Sequence, residues 1–191
     1  MREGVNKGGC EAAGERKSRR RARLRGFLGS ERGAAYVEFV IVAIPLFMLI
    51  FGIIEVGLIF WAAYELENAT MAAARYIRTG QAQGWSLSTF QTNLCNNVVI
   101  LTNCNTAVMI DVRSAGTLSG IHAPKPINAD GSLNTSFLFE QGGPGVYVLV
   151  TAFYEWQLIN PLVSSLLANL GDGNTLLRAS AAFKNEPFPP T

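Results

Sequence analysis

The sequence predicts an α+β fold, in which a long N-terminal transmembrane helix continues into an extracytoplasmic domain with a small antiparallel sheet packed on it. Three observations support this prediction. The 26 residues between Glu38 and Glu65 include only one charged residue, basic residues crowd the N-terminal side of that run, and β-branched or aromatic segments alternate with turn residues farther on. The length of 191 residues allows one domain of ordinary size beyond the helix.

The apolar run begins at Phe39 and contains no charge until Glu55. As a helix that rises about 1.5 Å per residue, the full run would extend about 39 Å, more than the roughly 30 Å of a bilayer core. A cleaved signal peptide fits poorly, because its apolar part holds only about 7 to 15 residues and ends in an A-x-A site. We therefore expect a transmembrane helix over residues 34–64.

Charge is distributed unevenly about this run. Before Gly33, ten Lys or Arg residues oppose four acidic residues, a net charge of +6, whereas from Gly33 onward six oppose ten, a net charge of −4. Because a basic flank stays in the cytoplasm, residues 1–33 are predicted to be a cytoplasmic leader and residues 65–191 an extracytoplasmic domain. Nucleic-acid binding, a nuclear address or twin-arginine export would also involve such arginines. A topology-setting tail explains them without a nucleic-acid partner.

The helical pattern continues beyond the apolar run. Residues spaced three or four apart keep one face small or apolar, namely Leu58, Ala62, Leu66, Ala69, Ala73 and Tyr76. Gly80 is a natural end for this helix. The helix is therefore predicted to reach about residue 79, with an amphipathic outer third that packs on the rest of the chain.

Two shorter helices are predicted in the domain. Ser86 or Ser88 would cap a helix that leads into Cys95. Pro161 is suited to the first turn of another helix, which we expect to extend through Leu170.

Three strands are predicted from β-branched and aromatic residues, over 106–114, 145–158 and 175–183. The intervening stretch 114–144 contains Gly, Pro, Asn and Ser throughout and should be mostly loop. Strands this close in sequence favour antiparallel pairing.

Cysteine usage agrees with the predicted topology. Cys10 lies in the leader, where a reducing cytosol would keep it a free thiol, whereas Cys95 and Cys104 lie on the oxidising side. A disulfide between these two would constrain the unfolded chain by roughly 2 to 3 kcal/mol, and two unrelated buried thiols are the alternative. Two cysteines and the single His122 have no recognised zinc spacing, so no metal site is predicted.

Glu38 stands at the threshold of the apolar run. At the centre of a membrane helix a carboxylate costs about 2.5 to 3.5 kcal/mol, and less toward an interface, so such an acid is by default functional and requires a partner. The alternative is that Glu38 marks the cytoplasmic interface, where headgroups solvate it.

The residues around Glu38 carry a family resemblance. Gly33, four further residues, then Glu38 and Phe39 resemble the site at which type IV prepilins are cut after the glycine. More extensively, residues 32–83 resemble the N-terminal block of TadE-like proteins of the Tad (Flp) pilus systems. The shared pattern is an arginine-rich leader, G-x-x-x-V-E-F, a proline-bearing apolar run, a second Glu, and an alanine-rich "ARY" helix reaching "TG". Phe39 departs from the tyrosine common in Tad major pilins.

The resemblance implies a pilin-like fold and cleavage between Gly33 and Ala34 by a prepilin peptidase, which would leave 158 of the 191 residues. Glu38 could then pair with the new amine of Ala34, in its own helix or in a neighbouring subunit. The implied partners are this peptidase, other pilin-like subunits, membrane lipid, and an inner-membrane Tad assembly platform with its cytoplasmic ATPase.

The implied function is that of a minor pilin or pseudopilin in a Tad (Flp, type IVc) pilus or a related secretion apparatus, because major Tad pilins are little more than the helix. Such a protein would span the bacterial inner membrane once, with a periplasmic C-terminal domain, and could enter the extracellular pilus. The alternative is an uncleaved, membrane-anchored periplasmic interaction or adhesion protein.

Enzyme hypotheses find little support in the sequence. No G-x-S-x-G, P-loop or H-E-x-x-H motif is present. Glu140 and Glu155 could serve acid–base chemistry only if they lay close together, and His122 lies in a loop-like region where solvent exposure is expected. We therefore predict no catalytic residue and no cofactor. An envelope enzyme on a helical tether is the third alternative.

Overall fold

The computed structural model describes residues 31–96 and 98–189, so most of the predicted leader, residues 1–30 with Cys10, lies outside the described residues. A long apolar N-terminal helix is followed by a three-stranded antiparallel sheet and short helices, which confirms the predicted α+β class. The elements in chain order are α1 (Glu31–Arg78), α2 (Leu87–Cys95), α3 (Cys104–Ala107), β1 (Met109–Ala115), a 3₁₀ turn (Leu118–Gly120), β2 (Tyr147–Trp156), α4 (Pro161–Leu167) and β3 (Thr175–Lys184).

Helix α1 has 48 residues and contains Pro45. The internal contacts divide the chain within this helix, between Ile50 and Phe51. The helix ends at Arg78, and Gly80 follows with a φ of +77°, a conformation that glycine adopts without a Cβ penalty. The predicted helix end is therefore confirmed.

Helix α2 begins where the sequence predicted it. Ser86 caps it, because its hydroxyl accepts a hydrogen bond from the backbone N–H of Thr89 at 3.2 Å. Phe90 and Leu94 point inward and are buried.

The sheet has the order β1-β2-β3, and both strand pairs are antiparallel. The prediction for the first strand was wrong at its start, because Thr106 and Ala107 belong to α3. Their backbone N–H groups both donate to the carbonyl of Asn103, which has a left-handed φ of 53° and begins this single helical turn. The 114–144 stretch is mostly loop, as predicted.

Helix α4 is shorter than predicted. It ends at Leu167, whereas the prediction extended to Leu170. The backbone N–H groups of Asn169 and Leu170 donate instead to the carbonyl of Asn174, so these residues belong to the turn that leads into β3.

The two faces of the sheet bury different cores. One face packs on α1 and α2, and alternate residues of the central strand β2 reach it, as a strand's period of two requires. This larger core includes Leu66, Ile77, Phe90, Val112, Val148, Val150, Ala152, Tyr154 and Ala179. On the other face, Phe153 packs with Leu170 and Leu176 in a smaller core.

The outer part of α1 buries a face close to the predicted one. Ala62, Leu66 and Ala73 are buried as expected, but Leu58 and Tyr76 are exposed. Two residues outside the predicted set, Thr70 and Ile77, are buried among others. Thr70 tolerates burial because its hydroxyl donates to the carbonyl of Leu66 at 2.6 Å. The prediction that this part of the helix packs on the domain is confirmed. The first and last residues of the predicted buried face, Leu58 and Tyr76, were wrong.

Candidate processing and assembly site

The predicted cleavage site lies at the start of α1. The helix begins at Glu31, so the peptide bond between Gly33 and Ala34 is in its first turn. Backbone N–H groups of a first turn have no partner within the helix, and glycine lowers helix stability by roughly 0.5 to 1 kcal/mol relative to alanine. This turn can therefore open at a low cost in free energy.

Glu38 and Phe39 are both exposed on α1. Residue 38 follows residue 34 by four positions, which puts the two on one face of the helix. The Glu38 carboxylate makes no hydrogen bond or ion pair to any residue that the structure describes. The geometry thus leaves this acid available to a group outside the described chain.

The apolar side chains that follow Glu38 are also exposed. The helix is long and apolar enough to cross a membrane, which fits a membrane anchor. Its exposed large side chains between residues 39 and 54 are Phe39, Val40, Ile41, Val42, Ile44, Leu46, Phe47, Met48, Leu49, Ile50, Phe51, Ile53 and Ile54. Trp61 and Tyr64 are exposed farther along, and aromatic side chains of this kind suit a membrane–water interface.

Glu55 has its partners within its own chain. Its side chain is buried, and its two carboxylate oxygens accept hydrogen bonds from the backbone N–H groups of Ile159 (2.6 Å) and Asn160 (3.1 Å). Glu55 therefore joins α1 to the segment that enters α4.

Glu65 plays a similar part ten residues later. One of its carboxylate oxygens accepts from the backbone N–H groups of Val99 (3.0 Å) and Ile100 (2.9 Å). These residues lie in the loop between α2 and α3. Glu55 and Glu65 therefore both bind loops of the same domain.

A disulfide joins Cys95 at the end of α2 to Cys104 at the start of α3, with the two Cα atoms 5.7 Å apart. The enclosed loop is also held by Tyr154, whose hydroxyl donates to the carbonyl of Thr102 at 3.2 Å. The loop that Glu65 contacts is thus closed covalently at its base.

The sequence reasoning missed Asp111, which is fully buried on β1. Its carboxylate accepts two hydrogen bonds from the Arg113 guanidinium (2.8 and 3.2 Å) and one from the N–H of Leu138 (3.0 Å). The hydrogen bonds that Arg113 donates to Asp111 raise the pKa of Arg113 above its ordinary value. The sequence does contain a signal for this pair. Asp111 and Arg113 are two residues apart in a predicted strand, so they lie on the same face of the strand and can form an ion pair.

The C-terminal tail binds the end of α1. The N–H of Glu186 donates to the carbonyl of Arg78 at 2.9 Å, and the two side chains form an ion pair at 3.2 Å. The ring of Phe188 lies against Gly80, where a Cβ would come within 2.5 Å of the ring. Glycine at residue 80 therefore also makes room for the tail.

The three residues considered for catalysis are either exposed or hydrogen-bonded to a neighbouring side chain. Glu155 accepts a hydrogen bond from the Asn174 amide at 2.7 Å, Glu140 is exposed, and His122 is exposed as predicted. Within the described ranges, no three His, Cys, Asp or Glu residues are grouped so that they could hold a metal ion.

An open cleft of about 560 Å³ lies where β2 ends. Its lining combines aromatic and apolar side chains, Tyr154, Trp156 and Met109, with the carboxylate-bearing Glu155.

Comparison with known proteins bears on α1. Residues 33–75 match the model of the family described as TadE-like protein, which confirms the resemblance over that segment. The family is a structural one, and the match supports involvement in Tad pilus-related systems. Searches of curated proteins and of solved structures found no significant match.

Proposed function

From the premise that residues 33–75 are TadE-like, we propose that this protein is a minor pilin or pseudopilin that takes part in assembly of a Tad (Flp, type IVc) pilus or a related secretion apparatus. In this proposal a prepilin peptidase removes residues 1–33. The mature helix then bundles with other pilin-like helices through its exposed apolar surface, and the domain makes specific contacts at a tip, a base or an initiation complex.

One observation carries the proposal. Within the TadE-like segment, Glu38 is exposed and lies four residues after Ala34, the residue that would become the new N-terminus, and most large side chains of the apolar run that follows are exposed. Cleavage after Gly33 would create an ammonium group on Ala34 that Glu38 can pair with, in the same helix or in a neighbouring subunit. The acid would then fix the axial register of packed helices.

The minor role follows from the size of the domain. A compact unit from Phe51 onward has two cores, a disulfide and its own sheet. A bulk subunit of this pilus type is little more than a helix, so the additional domain favours a subunit present in few copies. The proposed location is the bacterial inner membrane, with the domain in the periplasm before assembly.

Intact mass and N-terminal sequencing test the processing step. Protein from cells that contain the prepilin peptidase should begin at Ala34, and protein from cells that lack it should retain the leader. Gly33→Glu should retain the leader in both strains, whereas the matched control Gly26→Glu should be cut normally. A native chain that still begins at Met1 would support the uncleaved periplasmic interaction or adhesion protein instead.

Pilus assembly tests the role of Glu38. Glu38→Ala should be processed but should give few or no pili by electron microscopy. Glu67→Ala, which removes an exposed acid from the outer part of α1, is the control and should assemble normally. Normal pili from Glu38→Ala would exclude pairing between the carboxylate and the amine.

A further inference from the structure

A second apolar surface lies on the segment Ile159–Leu167, which contains α4. Ile159 is 91% exposed and Leu166 is 82% exposed, and Leu162 is exposed beside them. The chain contains no Asp, Glu, Lys or Arg from residue 156 to residue 171. Contiguous exposed apolar residues of this kind mark sites of interaction with a protein or a membrane.

The position of this segment along α1 distinguishes between these partners. Glu55 binds the backbone of Ile159 and Asn160, and a Cβ built on Gly52 would lie 3.4 Å from the Asn160 amide nitrogen and 3.5 Å from Val163. Gly52 falls inside the uncharged run, and a bilayer core requires about 20 helical residues, which counted from Phe39 reach residue 58. The segment therefore contacts α1 at residues that lie within the predicted membrane-spanning stretch.

Several polar groups of the segment are paired within the protein. The hydroxyl of Ser164 donates to the carbonyl of Gly173 (3.0 Å), and that of Ser165 donates to the carbonyl of Leu162 (2.8 Å). The Asn160 side chain accepts from the N–H of Leu162 (3.0 Å), and Pro161 has no N–H to satisfy. Backbone and side-chain groups that enter lipid must be paired in this way, because hydrocarbon offers no hydrogen bonds.

We propose that Ile159–Leu167 is a second membrane contact, in which Ile159, Leu162 and Leu166 insert into the leaflet that faces the domain. The partner is a phospholipid surface. A protein interface would present polar or charged groups at its rim, whereas the serine hydroxyls here are occupied and charges are absent. A short apolar helix in the interface plane would fix the tilt and rotation of the domain on its anchor. This inference rests on the membrane span of α1 and not on the proposed pilus role.

Spin-label accessibility tests the contact in the full chain. In a Cys10→Ser background the disulfide leaves no other thiol, so Leu166→Cys can be labelled alone. The protein is reconstituted at low density in vesicles of phosphatidylethanolamine and phosphatidylglycerol. The label at residue 166 should collide often with dissolved oxygen and lose collisions with a water-soluble nickel complex. Val42→Cys, in the uncharged run, is the lipid reference, and Leu118→Cys, an exposed leucine in the 3₁₀ turn, is the aqueous reference.

Three results would overturn the inference. A label at residue 166 that meets the nickel complex as often as the label at residue 118 would place it in water. Shielding from both reagents would mean that protein, such as a second copy of the chain, covers it. A label at residue 42 that behaves as an aqueous one would remove the membrane span on which the inference rests. If Leu166→Cys does not fold, Leu162→Cys gives the same readout.

Discussion

The inner and outer parts of α1 are both apolar, but they face different surroundings. Between residues 39 and 50 nearly every large side chain is exposed, whereas between residues 55 and 78 one face of the helix forms the larger core with the sheet. Apolar side chains therefore have two different roles in this helix. In the inner part the apolar side chains require lipid or another helix to cover them, and in the outer part the sheet of the same chain covers them.

The acids of the helix repeat this contrast. Glu38 has no partner among the described residues, while Glu55 accepts two backbone N–H groups and is buried. A carboxylate paired with two N–H donors can be buried at moderate cost, whereas an unpaired one remains costly in an apolar environment. The outer acid therefore stabilises the fold, whereas the inner acid is left available for the contact that we propose under processing and assembly.

The largest expected effect compares two leucines of α1. Leu66 is fully buried and Leu49 is 60% exposed. Leu66→Ala should lower the free energy of unfolding of the domain by about 2 to 5 kcal/mol, because it leaves a cavity in the core. Thermal unfolding in detergent, followed by circular dichroism, should show a fall of roughly 5 to 15 °C. Leu49→Ala should leave the melting temperature unchanged, and equal shifts would contradict the division of the helix into two parts.

A smaller effect is expected at Glu55. Glu55→Ala removes the acceptor of two N–H groups, and the loss of stability should be about 2 kcal/mol, because two part-buried backbone donors lose their partner. The same thermal scan measures it. Glu38→Ala is the matched control and should unfold at the wild-type temperature. If Glu38→Ala were equally destabilised, the inner acid would also have a partner within the folded chain.

The smallest effect concerns the ion pair at the end of the helix. Arg78 and Glu186 are each about half exposed, so Glu186→Ala should cost less than about 1 kcal/mol. The difference from the wild type should shrink as salt is added, since exposed pairs are screened. Glu67→Ala, which removes an exposed acid that forms no ion pair with any residue the structure describes, should show no such salt dependence. A salt-independent loss for Glu186→Ala would mean that the tail acts through packing.

Much of the fold was predictable because it depends on local patterns. The uncharged run from Phe39, the turn at Gly80, the cap at Ser86 and the β-branched strand around Val150 each act through nearby residues. The motif of the candidate site, from Gly33 to Phe39, is likewise contiguous in sequence, and its family was recognisable there. The predicted start of β1 and the predicted end of α4 were wrong. Ala107 and Leu170 belong to turns, where each backbone N–H donates to a nearby carbonyl.

The amino-acid pattern alone is enough to predict a long helix with an apolar inner part, a charge asymmetry about it, and an antiparallel sheet after it. The backbone N–H groups that bind Glu55, Glu65 and Asp111 lie 27 to 105 residues away and could be identified only from the folded chain. The tertiary structure also decided that Thr70 and Ile77, not Leu58 and Tyr76, face the core. The physical reason is that periodicity follows from covalent spacing along one element, whereas the partner of a buried polar group depends on which loop the packing of other elements brings to it.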